Sequence, residues 1–197
     1  MTTADHDVPT SWGRIATWLL THTRPPVEPV RPAADRARLA AFEEHLGLLL
    51  PPDLTAWWLL PGVAQGHWIL DEFAAVALDE ALETHAIWLL VAEQEVEPVD
   101  TRYLPAYMPI GLSPGGDGLI VDLRPGGTHG AVLRRDHETC SLEVPLWPSV
   151  AAMLDDLANA LETGAPALRH HAALGGSTPP HAAAIDDNRG LTWHPAG

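Results

Sequence analysis

Lysine is absent from this chain. All eleven basic residues are arginine, set against 26 acidic residues, for a formal net charge of -15. Nucleic-acid binding needs clustered cations for its phosphate contacts, and the balance here excludes it. The same deficit excludes attachment to an anionic membrane surface. Cysteine occurs once, at Cys140, so the chain cannot close an internal disulfide or build a thiol-based zinc site. No apolar run approaches the ~20 residues that a membrane-spanning helix needs. The opening residues, Met1 to Asp7, hold neither a basic stretch nor an apolar one, so no secretory signal is read and the expectation is a cytoplasmic protein.

What is present suits one folded unit. The 197 residues are 46% apolar and only 19% charged, enough to bury a core and too apolar for a disordered chain. Four helices are expected before the middle of the chain. Ser11 suits the cap of the first, which shows Trp12, Ile15 and Leu19 on one face and ends at the Thr23 to Pro26 stretch. A proline-rich connector leads to a second, over about 33–46, with Leu39, Phe42 and Leu46 inward and Gly47 as its stop. A short third starts at Pro52 and Asp53, with Leu54, Trp57 and Trp58 at helical spacing. A longer fourth runs from Asp79 to about Gln94 and carries Leu78, Leu82, His85 and Leu89.

The pattern then changes to strands punctuated by glycine and proline. Met108 to Ile110 reads as a strand end, Ser113 to Gly118 as a turn, and Leu119 to Leu123 as a continuous apolar strand. Gly130 to Arg135 is its expected antiparallel partner. Ser149 then opens a last clear helix with Val150, Met153, Leu154, Leu157 and Leu161 in one stripe and Gly164 after it. Helices, a strand meander and a closing helix predict an α+β fold over residues 11–164, with helices packed at both ends of an antiparallel meander. Residues 165–181 are expected to be a flexible linker, and 182–197 a C-terminal segment that docks through Leu191 and Trp193.

Catalytic constellations are hard to find. The glycines around Asp117 lack the following Gly-Lys-Ser/Thr of a phosphate loop and lead into a strand. The eleven histidines show no ligand spacing, and no metal or cofactor is expected. Cys140 and His137 stand three residues apart with no orienting Asn or Asp in view. Were the protein an enzyme, Asp117, Asp122, His129 and His137 would be the residues to test; the reading is that it is not one. Eight of the twelve aromatic residues are tryptophan, a residue of cores and of interface hot spots.

The order of several short motifs resembles the SUKH superfamily, in its Smi/Knr-type branch. They are Glu43, Leu46 and Gly47; Leu50, Pro51, Asp53 and Leu54; Trp57 and Trp58; then Leu104, Met108, Pro109 and Ile110. Gly116 to Gly118, Val121 to Leu123, Gly130, Trp147 to Ser149 and the tail Asp187 to Trp193 continue the likeness. Pro61 and Gly62 stand where those domains usually carry Asn-Gly. The resemblance implies a SUKH-like α+β domain and, in bacteria, frequent service as an immunity protein that neutralises a polymorphic toxin. It implies no catalytic residues.

Charge adds a location to that expectation. Residues 39–101 hold twelve carboxylates and no Arg or Lys, which suits a basic protein partner such as a nuclease toxin domain. Asp53 and Asp79 start helices and have local work there. The candidate partner-binding residues are therefore Asp71, Glu72, Glu93, Glu95, Glu97 and Asp100. The alternative is a regulatory or scaffold module without a toxin partner, using a Trp-rich groove.

Overall fold

A computed structural model describes residues 7–25, 30–64, 68–70, 73–94, 105–138, 142 and 144–196. The first helix, α1 (Val8–His22), is capped by Asp7, whose carboxylate accepts from the Thr10 amide at 2.8 Å. Pro9 in the first turn has a φ already suited to a helix start. Ser11, expected as the cap, lies one turn further in and is fully buried against the core. The reason for the difference is that Asp7 and Pro9 together start the helix earlier. α2 (Arg36–Leu46) is capped by Asp35 and closed by Gly47 in the left-handed region at φ 64°. α3 (Pro52–Trp58) buries Leu54, Trp57 and Trp58, the three residues at i, i+3 and i+4.

The sheet has four antiparallel strands in the order β1 (Ala74–Ala75), β2 (Tyr107–Leu112), β3 (Gly118–Asp122), β4 (Val132–Arg135). Met108 pairs with Val121 and Ile120 with Leu133, with a register shift between Pro109 and Gly111. Strands 119–123 and 130–135 of the sequence reading are thus neighbours in one sheet, the second beginning at Val132. Alternate residues point to opposite faces. Met108, Ile110, Leu119, Val121 and Val132 face the main core. Tyr107, Ile120 and Leu133 face the other way, against Trp88, Leu89 and Ala92 of α4 (Leu78–Gln94). Burial on both faces is why Leu119, Ile120 and Val121 form an unbroken apolar run.

The layer on the main-core side is α1, α3 and α5 (Val150–Thr163), the last capped by Ser149 and closed by Gly164. Arg14 of α1 reaches across to α5, where its guanidinium bonds Asp155 at 2.8 Å and Asn159 and Glu162 at 2.6 Å each. Asp53, expected to serve only its own helix, also accepts from the Ala151 amide in the first turn of α5. The described fold is α+β, as the order of helices, strand meander and closing helix predicts.

Residues 165–181 are more than a connector. They contain α6 (Arg169–Ala173), bury Ala167, Leu168 and His171, and bridge Ala167 to His181. Apolar contact of Ala167 and Leu168 with the main core outweighs the loop-like composition. Beyond them β5 (His181–Ile185) and β6 (Leu191–Pro195) form a separate hairpin. Its tip sends the Arg189 guanidinium onto the Thr21 and His22 carbonyls, placing a cation at the C-terminus of α1. Trp193 is buried in the main core and donates to the Trp68 carbonyl at 3.2 Å.

Two predictions follow from the packing. The Trp88 ring lies so close to Gly118 that a Cβ there would overlap it. Gly118→Ala should cost roughly 1–3 kcal/mol in urea unfolding, and adding Trp88→Leu should recover part of the loss. An unaltered Gly118→Ala midpoint would show that α4 sits further from the sheet. Trp193→Ala should cost about 3 kcal/mol and lower the melting temperature, the tail behaving as part of the core. A melting curve unchanged by this substitution would contradict that packing.

Candidate functional site

Helix α4 decides what faces outward. Ala86 to Ala92 is an unbroken run of apolar residues, more than one helix face can hide. Trp88, Leu89 and Ala92 go to the sheet, and Leu78, Ala81 and His85 are buried nearby. The opposite face keeps Ile87 at 58%, Leu90 at 58% and Val91 at 45% exposed. Other exposed large apolar residues among those described, such as Leu20, Leu49 and Leu174, stand singly in different parts of the chain. Among the described residues, only α4 presents three at i, i+3 and i+4.

Acids flank this stripe. Glu83 lies one turn before Ile87, and Glu93 lies in the last turn, both exposed. Neither makes an ion pair among the described residues, whereas Asp79 pairs with Arg38 and Glu80 with Arg31. The last turn of α4 contains no basic residue, so Glu93 sits against the negative end of the helix dipole uncompensated. That placement costs roughly 0.3–1 kcal/mol, and no interaction within the described residues offsets it.

The helix is held firmly from beneath. Arg135 stacks over the Trp88 ring at 4.5 Å to its centroid. His85 donates through Nε2 to the Pro105 carbonyl at 2.9 Å. Burial pushes the His85 pKa below its ordinary value, the Pro105 bond opposing this and the nearby His45 adding to it. A neutral imidazole therefore ties the middle of α4 to the approach to β2.

Of the six candidate partner-binding residues, Glu93 is in this surface. Asp71, Glu72, Glu95, Glu97 and Asp100 lie outside the described residues. The apolar stripe itself is missing from that set, because the helical spacing of Leu78, Leu82, His85 and Leu89 marks only the inward face of α4. The signal was present: a helix apolar on more than one face must be buried all round or meet a partner.

Of the four residues considered for catalysis, Asp117 and His137 meet, and Asp122 and His129 lie elsewhere. Asp117 and Asp122 stand at opposite ends of β3, roughly 16 Å apart at the usual strand rise. Asp117 accepts from Arg134 at 2.7 Å and from the His137 ring and backbone at 2.8 and 3.0 Å. Burial would raise its pKa, but these bonds outweigh that and lower it to about 2. Asp122 is fully buried; Arg124 and Thr128 bind its carboxylate and, against the effect of burial, hold its pKa below the ordinary value. His129 is exposed in the loop between β3 and β4. Both aspartates brace turns.

The Trp-rich groove is also a core feature. Trp57 and Trp68 are fully buried, with ring centroids 5.7 Å apart, and Trp12 packs on Trp68 at 5.1 Å. Among the described residues there is no group of three His, Cys, Asp or Glu able to hold a metal, and no helix long and apolar enough to cross a membrane.

The family model described as SMI1 / KNR4 family (SUKH-1) matches residues 33–156, well over half of the chain. That span runs from the approach to α2 into the first half of α5, and includes the sheet and all of α4. No curated protein matches the chain.

The Asp117 cluster predicts a pH effect with a defined sign. A carboxylate whose pKa is lowered on folding stabilises the protein above about pH 3.8, and the effect is lost as pH falls toward 2. Asp117→Asn should therefore destabilise at neutral pH by about 2 kcal/mol, and the difference from the parent chain should close near pH 2. A constant difference across that range in urea titrations would mean that the charge plays no part.

Proposed function

The chain belongs to the SMI1/KNR4 (SUKH-1) family, and from that premise we propose that it works by binding another protein, as an immunity-type protein that neutralises a toxin domain. The observation that carries the binding reading is the outer face of α4. Ile87, Leu90 and Val91 are left in water on a helix that already covers the sheet with its other side. Exposed apolar residues gathered on one face, with charge at their rim, are a mark of protein contact.

The toxin reading adds charge to that surface. Glu83 and Glu93 have no counter-ions among the described residues, and the stretch 39–101 carries no Arg or Lys. Complementary charge on a basic nuclease would speed encounter and fix orientation. Binding alone is sufficient for such a role, since a toxin is neutralised when its active surface or its substrate path is covered.

The test begins with the neighbouring gene. Where it encodes a toxin-like domain, co-expression of this chain should rescue cells that the domain otherwise kills, and the two proteins should co-purify. Glu93, Glu95 and Glu97 changed together to Gln should slow association and flatten its salt dependence, with little effect on folding. Killing that proceeds undiminished with the chain present would refute the immunity role. Association of the triple variant at the parent rate and salt slope would remove those acids from the contact.

A further inference from the structure

The outer face of α4 also specifies the shape and charge of what it meets, a step that rests on the binding reading above. The exposed stripe runs from Glu83 to Gln94, roughly 16 Å of helix at 1.5 Å per residue. Its backbone is hydrogen-bonded within the helix, so an added strand would find no free edge to pair with. What fits a straight ridge of side chains at i, i+3, i+4 and i+7 is a second helix, packed ridge into groove.

Charge then chooses between helices. Glu83 and Glu93 bracket Ile87, Leu90 and Val91, ten residues apart and without cationic partners among the described residues. In a two-fold contact between copies of this chain, α4 would meet its mate either antiparallel, with Glu83 facing Glu93, or parallel, with each Glu facing its own copy. Like charges so placed oppose the dimer. We infer that the outer face of α4 docks a basic amphipathic helix of a different protein, whose apolar residues cover Ile87, Leu90 and Val91 and whose Arg or Lys residues meet Glu83 and Glu93.

The test uses the full chain and synthetic helices, with no toxin involved. One labelled peptide carries Leu at i, i+3, i+4 and i+7 with Arg on both flanks. A second has the same composition in scrambled order, and a third replaces Arg by Glu. Fluorescence anisotropy should show binding of the first alone, weakened about tenfold by Leu90→Ser and by the Glu83→Gln, Glu93→Gln pair. Added salt should weaken it further. Melting temperatures of these variants should match the parent.

Equal binding of the scrambled peptide would reduce the effect to bulk charge and overturn the proposal. So would affinity for the first peptide that ignores the α4 substitutions. A marked drop in melting temperature for Leu90→Ser would assign the stripe to the chain's own packing. A parent chain that sediments as a dimer, and as a monomer after Leu90→Ser, would make a second copy the occupant. Failure of the immunity test with these peptide results intact would leave the docking surface standing and change only the partner's identity.

Discussion

The constraint on which this structure depends is a sheet that is apolar on both faces. Leu119 and Val121 point into the main core while Ile120 between them points away. Neither face tolerates water, so helices must cover both, and α4 is what covers the second. Its approach is close enough that Gly118 has no room for a side chain beneath the Trp88 ring. Arg135 lies over the same indole, and Arg124 over Tyr107 at 4.8 Å, so cations complete a mainly apolar contact.

A helix recruited to cover a sheet needs only one apolar side. α4 has more than that, and the surplus is the functional clue. Its inner residues are accounted for by Tyr107, Ile120 and Leu133. Ile87, Leu90 and Val91 have no such account within the described residues, and solubility alone would favour polar residues there. The acids divide in the same way. Asp117, Asp122, Asp155, Asp156 and Glu162 hold turns or helices together, and Glu43 caps the Leu50 amide. Glu83 and Glu93 make no such contact among the described residues. These acids thus differ in role, one set holding the fold and the other facing outward beside an apolar ridge.

The C-terminal hairpin shows how distant pieces are drawn into the same core. Trp68 receives Trp12 and Trp57 against its ring, donates to the Val63 carbonyl, and accepts from Trp193 through its own carbonyl. Four stretches of chain meet around one indole. Large aromatic area makes such a junction strongly stabilising, and the tilted ring pairs add to it. The tail is fixed at its other end by Arg189 on the carbonyls that close α1.

Helices α1 to α5 and the antiparallel strand pair were legible in the sequence, because each rests on local physics, whereas α6 lies in a stretch whose composition reads as a linker. Spacing of Leu54, Trp57 and Trp58, the left-handed glycines at 47 and 164, and the turn between Leu112 and Gly118 act within a few residues of themselves. The acidic bias of the middle third was equally plain. The first cap differs from the expected Ser11, since Asp7 and Pro9 start the helix ahead of it. What tertiary structure decided is which side of α4 meets the sheet, which acids are paired, and where the tail goes. Arg14 finds Glu162 across 148 residues and Trp193 finds Trp68 across 125. Such partners are chosen by the packing of whole elements, and no local pattern specifies them. The exposed ridge on α4 is visible only after that packing has used up the other face.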